Sequence, residues 1–207
     1  MIPEAPEDVR EAARFAFWEV QMLRDDARAV ARARERIRNI QSPRGIAGLK
    51  IEHGGGLWEG REMFETDFAS LSFEDKKRRF MSDLPDAVAS WGAVAGRPGR
   101  RDHAPYHAAG VPLLAWWKGQ GREVTAYLGR GGTRAGNRGQ QPCATVRFLA
   151  NEFLDIARWY ANSEWAAEAE GYENPQASDL LPLVKATALN IGFDVAERHN
   201  QNRTAKR

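Results

Sequence analysis

Apolar residues recur at alternating intervals of four and three near the start of the chain. Val9, Ala13, Ala16, Val20, Leu23, Ala27, Val30 and Ile37 form a heptad-like seam, which predicts one helix from Glu7 to Ile40. Phe15, Trp18 and Met22 lie beside the seam and widen the apolar face to that of a globular-core helix. Pro6 followed by Glu7 and Asp8 is a start signal, because carboxylates favour a helix N-terminus. Pro43 disfavours helical geometry at Ser42 and sets the end near Gln41. Such a helix is roughly 50 Å long at about 1.5 Å per residue, more than a compact body of this size needs. Self-association through its Ala- and Val-rich seam is therefore one expectation, although Arg34 interrupts that seam.

The pattern is weaker in the next stretch. Ile46 to Glu52 alternates as a short strand would, Gly54-Gly55-Gly56 breaks the chain, and Leu57 to Leu71 reads as a helix. Ser72-Phe73-Glu74-Asp75 resembles a capping box and starts a helix from Phe73 to about Leu84. Gly96 to Gly110, rich in Gly, Pro and Arg, reads as a linker. After it, "VPLLAWWK" and "REVTAYLG" flank Gly119-Gln120-Gly121 and predict a β-hairpin. A helix from Pro142 to about Ala167 carries Val146, Leu149, Phe153, Ile156 and Tyr160 on one seam. A last helix, capped by Ser178 or Asp179 and running to about His199, turns Leu181, Val184, Ala188, Ile191 and Val195 inward. The fold class expected is mainly α with one β-hairpin, a helical domain with a long N-terminal amphipathic helix. It is one domain over 1–207, or two lobes at 1–96 and 111–200 joined by 97–110.

Composition adds limits. A chain of 207 residues with 43% hydrophobic and 28% charged content is ordinary for a globular protein. The longest apolar run, Val111 to Trp117, is too short to span a bilayer, and an acidic start is wrong for a secretory signal. A single cysteine, Cys143, excludes an intrachain disulfide framework and points to a reducing, cytoplasmic home.

Net charge is only +2, but it is unevenly placed. Between Arg97 and Arg147 nine basic residues face two acidic ones, a local balance of +7, whereas Glu164, Glu168, Glu170 and Glu173 form an acidic patch. Arginine supplies 24 of the 30 basic residues, which a GC-rich genome would also produce. The centre of the basic region is "YLGRGGTRAGNRGQQP", with Arg130, Arg134 and Arg138 at four-residue spacing. It lacks the lysine of a Walker A loop, and no dinucleotide fingerprint can be assembled around it. What it offers is generic. Glycines let backbone N–H groups approach an anion, arginines supply forked donors, and a helix N-terminus follows. The plainer alternative is a connector with solvated arginines.

Arg101, Arg122 and Arg147 extend the basic surface, and Trp117 and Tyr127 are candidates to stack bases. Adjacent strand residues point opposite ways, so one of Trp116 and Trp117 is expected to pack on the helices. Arg24, Arg28, Arg32 and Arg36 form a second basic column on the first helix, read as a solvated face or a phosphate-following stripe. Lys76-Lys77-Arg78-Arg79 reads as helix surface. His103 and His107 have helical metal-ligand spacing, but Pro105 between them argues against a regular helix there. Cys143 at a helix N-terminus could serve as a nucleophile, against the plainer reading of a packed thiol.

The function expected is a non-enzymatic helical adaptor binding nucleic acid through the Gly/Arg loop as an oligomer, with no cofactor or metal. The alternative is an assembly component whose arginines meet an acidic protein surface. A small metal- or Cys-dependent enzyme is a third reading.

Overall fold

The computed structural model describes residues 2–42, 50–53, 56–59, 70–83, 103–128, 141–163 and 183–204. The fold is mainly helical. Its elements are α1 (Glu7–Asn39), β1 (Lys50–His53), β2 (Gly56–Glu59), α2 (Phe73–Asp83), α3 (Ala104–Gly119), α4 (Ala144–Ala161) and α5 (Lys185–Thr204). The chain divides into two compact units, Met1–Glu19 with Asp102–Arg207 and Val20–Arg101, so α1 contributes to both. Among the described residues no helix is long and apolar enough to cross a membrane.

In the first unit α4 and α5 form the principal helix pair, and α3 packs on both. Two glycines allow the close approach. A Cβ on Gly192 of α5 would lie 3.0 Å from the Val146 carbonyl oxygen of α4, and one on Gly110 of α3 would collide with Val195 of α5. The start of α1 fills the remaining side. Phe17, fully buried, sits 4.9 Å from the Tyr106 ring and 5.6 Å from the Tyr160 ring, centroid to centroid. Tyr106 meets Phe153 at 5.2 Å, and Trp117 stacks on Phe148 at 4.8 Å. Off-centre aromatic contacts of this kind add to the area they bury.

Charge fastens the N-terminal segment to α4. Glu152 is 4% exposed. One of its carboxylate oxygens accepts the Ala5 N–H at 3.1 Å and the other accepts Arg10 Nε–H at 3.1 Å. Arg14 donates to Asp155 at 2.9 Å and to Glu7 at 2.7 Å. Partial burial works against the Arg10 guanidinium, but its hydrogen bond to Glu152 and the charges of Glu152, Asp155 and Glu4 hold its pKa above the ordinary value.

In the second unit the rest of α1 buries Gln21, Arg24, Ala27, Val30, Ala33 and Ile37. Ser72 caps α2, accepting the Asp75 N–H at 3.2 Å as the first half of the capping-box reading expects, while its hydroxyl donates to the Asp75 carboxylate at 2.6 Å. Lys77 of α2 donates to the carbonyls of Arg38 at 3.3 Å and Ile40 at 3.1 Å, satisfying the end of α1. β1 and β2 pair antiparallel, from Lys50 opposite Glu59 to His53 opposite Gly56.

Several expectations are corrected here. The β-hairpin predicted over residues 111–128 does not form. Its first arm belongs to α3, its second is a strap without regular secondary structure, and Gly119-Gln120-Gly121 ends the helix instead of turning a ladder. Gly121, at φ +71°, returns its N–H to the Lys118 carbonyl at 2.9 Å. The linker reading of 96–110 fails over 104–110, where α3 has already begun, with Pro105 in its first turn where no N–H is needed. β2 occupies the start of the helix expected from Leu57.

The heptad seam of α1 also shifts. The buried row is Ala13, Phe17, Gln21, Arg24, Ala27, Val30, Ala33 and Ile37, while Leu23 is 36% exposed. The row steps by four as far as Gln21 and mostly by three beyond it, close to where α1 passes from one unit to the other. A helix serving two cores need not hold one seam. Arg24, at 7% exposure, is therefore no part of a solvated column. Beside it, burial pushes the Asp25 carboxyl up against the opposing pull of the Gln21 hydrogen bonds and of Arg24 and Arg28. In α4 the helix starts at Ala144, not Pro142, and at α5 Val184 precedes the helix and is 54% exposed.

Replacing Arg10 with Ala leaves the buried Glu152 carboxylate short of its charged partner. Breaking such a pair is expected to cost about 3 kcal/mol, read as a fall in the urea midpoint with an unchanged slope. A loss below about 1 kcal/mol, the level of an exposed pair, would refute the fastening role.

Candidate nucleic-acid interface

Between α3 and α4 the chain runs through the strap, residues 122–128, and the Gly/Arg segment. Arg130, Arg134 and Arg138 lie outside the described residues, as does Arg101. The two ends of the segment are described, and hydrogen bonds tie them together. The Cys143 N–H donates to the Tyr127 carbonyl at 2.9 Å, joining the residue before Leu128 to the N-cap of α4. Thr145, 1% exposed, accepts the Thr125 N–H on its hydroxyl at 3.2 Å and donates to the Glu123 carbonyl at 3.3 Å. The Cys143 thiol donates to the Thr125 carbonyl at 3.2 Å. From α5, the Asn200 amide donates to the Val124 carbonyl at 3.1 Å. The strap is thus held through its own main chain, which leaves its sequence nearly free of pattern.

The strap also settles the surroundings of the aromatic candidates. Trp117 is 2% exposed. Its indole N–H donates to the Glu123 carbonyl at 3.0 Å, its ring stacks on Phe148, and the Arg122 guanidinium lies over that ring at 4.9 Å. A base has no face of Trp117 to stack on, so that assignment is withdrawn. Trp116 is the half-buried member of the pair, 5.5 Å from Phe148 between ring centroids. Tyr127 is half-buried and fixed by its carbonyl.

Of the described basic candidates, Arg122 is exposed beside Trp117. Arg147 is half-buried one turn into α4 and donates to the Gln141 side chain at 3.2 Å, at the point where the Gly/Arg segment ends. Lys118, exposed at the end of α3, precedes the same strap. The structure therefore places Arg147 where the segment ends, and Arg122 over Trp117 at the other end of the strap.

Cys143 makes no side-chain cap with the first turn of α4, so that turn's N–H groups have no acceptor from the N-cap residue. His103 is the N-cap of α3 and His107 lies in its first turn, which corrects the objection raised by Pro105. Among the described residues no group of three or more His, Cys, Asp or Glu side chains is placed to hold a metal ion. A surface pocket of about 300 Å³ lies elsewhere in this unit, between the N-terminal Ile2 and Pro3 and the Asn151, Leu154 and Arg158 side of α4.

The pins Thr125, Thr145, Cys143 and Asn200 escape sequence reasoning because each meets a main-chain group or another pin, which leaves no residue-type signature. No family model, curated protein or solved structure matches the chain.

Thr145→Val removes the acceptor of the Thr125 N–H while keeping shape. The expected cost is about 1–2 kcal/mol, with faster amide hydrogen exchange at Thr125. Unchanged exchange at Thr125 would show that the hydroxyl does not hold the strap.

Proposed function

We propose that the protein is a non-enzymatic helical adaptor that holds nucleic acid through phosphate contacts on its Gly/Arg segment. The observation that carries this reading is the pinned base. The Cys143-to-Tyr127 hydrogen bond and the Thr145 contacts deliver both ends of a segment bearing three arginines to one place, at the N-terminal end of α4. Arg122 and Lys118, both exposed, add charge at the other end of the strap that leads into the segment. Arginine forks and helix N-termini both favour phosphate.

The burial of Trp117 narrows the mode of binding. With that indole in the core, recognition rests on charge more than on stacked bases, so affinity should depend strongly on salt and weakly on sequence. Each phosphate neutralised contributes about 0.7–0.9 to the slope of log K against log salt.

Arg130→Ala, Arg134→Ala and Arg138→Ala in combination should weaken binding of a fluorescent oligonucleotide and flatten its salt dependence by roughly two to three in that slope. Fluorescence anisotropy across a salt series reads both quantities. Absence of salt-sensitive binding by the unaltered protein, to DNA and RNA alike, ends this reading.

A further inference from the structure

The first half of α1 has an outer face that the core does not use. Phe15 is 59% exposed and lies 5.9 Å from the half-buried Trp18, ring to ring. Asp8, Glu11 and Glu19 are exposed along the same helix. The nearby cations Arg10 and Arg14 are turned to Glu4, Glu7, Glu152 and Asp155. None of Asp8, Glu11 and Glu19 has an ion pair among the described residues. The face therefore combines the exposed Phe15 ring, beside a half-buried Trp18, with carboxylates that have no ion pair among the described residues.

That combination selects arginine. A guanidinium pairs with a carboxylate through its fork and stacks on an aromatic ring, which a lysine ammonium does less well. Glu11 and Glu19 are eight residues apart, about 12 Å along a helix. Arg130, Arg134 and Arg138 supply three guanidinium groups at regular four-residue intervals.

We infer that the Phe15 face of α1 docks the Gly/Arg segment of a second copy of this chain. Because the two patches differ, the contact either closes reciprocally as a twofold dimer or runs head-to-tail and propagates. The inference shares the arginine segment with the nucleic-acid reading but does not need it, and nucleic acid would compete for that segment.

Charge reversal tests the contact in sedimentation velocity runs on the whole chain. The unaltered protein should form a faster species as its concentration rises, and salt should dissolve it. Glu11→Arg with Glu19→Arg should remove that species, as should Arg130→Glu with Arg134→Glu and Arg138→Glu. An equimolar mixture of the two variants should restore it, because each then offers the charge the other lacks. The reversed positions Glu11 and Glu19 are exposed, so helicity by circular dichroism should be retained. A monomer at every concentration, self-association that survives either reversal, or a mixture that stays dissociated overturns the inference. Oligonucleotide binding that persists in the Glu11→Arg, Glu19→Arg variant while self-association is lost separates the two readings.

Discussion

A carboxylate buried in α4 governs how the first unit is put together. Glu152 is 4% exposed and both its oxygens are filled from the N-terminal segment, by the Ala5 N–H and by Arg10. Removing a charged carboxylate from water costs several kcal/mol unless its lone pairs are met, and the attraction to a partner offsets that cost only in good geometry. A leucine at this position would avoid the cost altogether. What the carboxylate adds is direction, since it accepts the N-terminal segment in one register. With that register set, Phe17 reaches the ring cluster of Tyr106 and Tyr160, and the first nineteen residues complete a core otherwise built by Asp102–Arg207.

The periodic parts of this fold are legible and the contextual parts are not. The helix starts at Glu7 and Phe73 follow from chemistry within a few residues, acidic first turns and a capping serine, so they can be read locally. The seam of α4 is likewise local, with Val146, Leu149, Phe153, Ile156 and Tyr160 all buried. The reading of α3 as a strand fails because its window is too short. Taken from Ala104, the buried residues Tyr106, Ala109, Gly110, Leu113 and Trp117 follow a helical period over sixteen residues. Short apolar runs do not distinguish strand from buried helix, and length has to decide. Pro105 hides the true start because a proline breaks a helix interior but suits its first turn.

The candidate site divides the same way. Its charge is legible, because a cluster of arginines around glycines is a property of composition. Its mechanical base is not. Thr145 acts by accepting the Thr125 N–H and donating to the Glu123 carbonyl, and a main-chain partner leaves no trace in residue types. Trp117 shows the converse hazard. As one of two adjacent aromatics it invites a stacking role, and only the position of Phe148 and the Glu123 carbonyl reveals a core residue.

Net charge conceals what the placement of charge makes available. The chain totals only +2, yet it holds a segment of +7 and, on α1, a row of carboxylates without counterions among the described residues. At physiological salt, exposed charges farther apart than about 8 Å are largely screened. Opposite patches on one molecule therefore act through close contact more than through a long-range field. Contact of that kind depends on what lies between the charges. A phosphate backbone would meet the arginines with charge alone, whereas the α1 face would add the exposed Phe15 ring. Salt would consequently weaken the two proposed interactions unequally, the phosphate contact more steeply, since counterion release acts only on the polyelectrolyte. Were both proposed partners to compete for the one arginine segment, ionic strength would rank them, with the protein face favoured as salt rises.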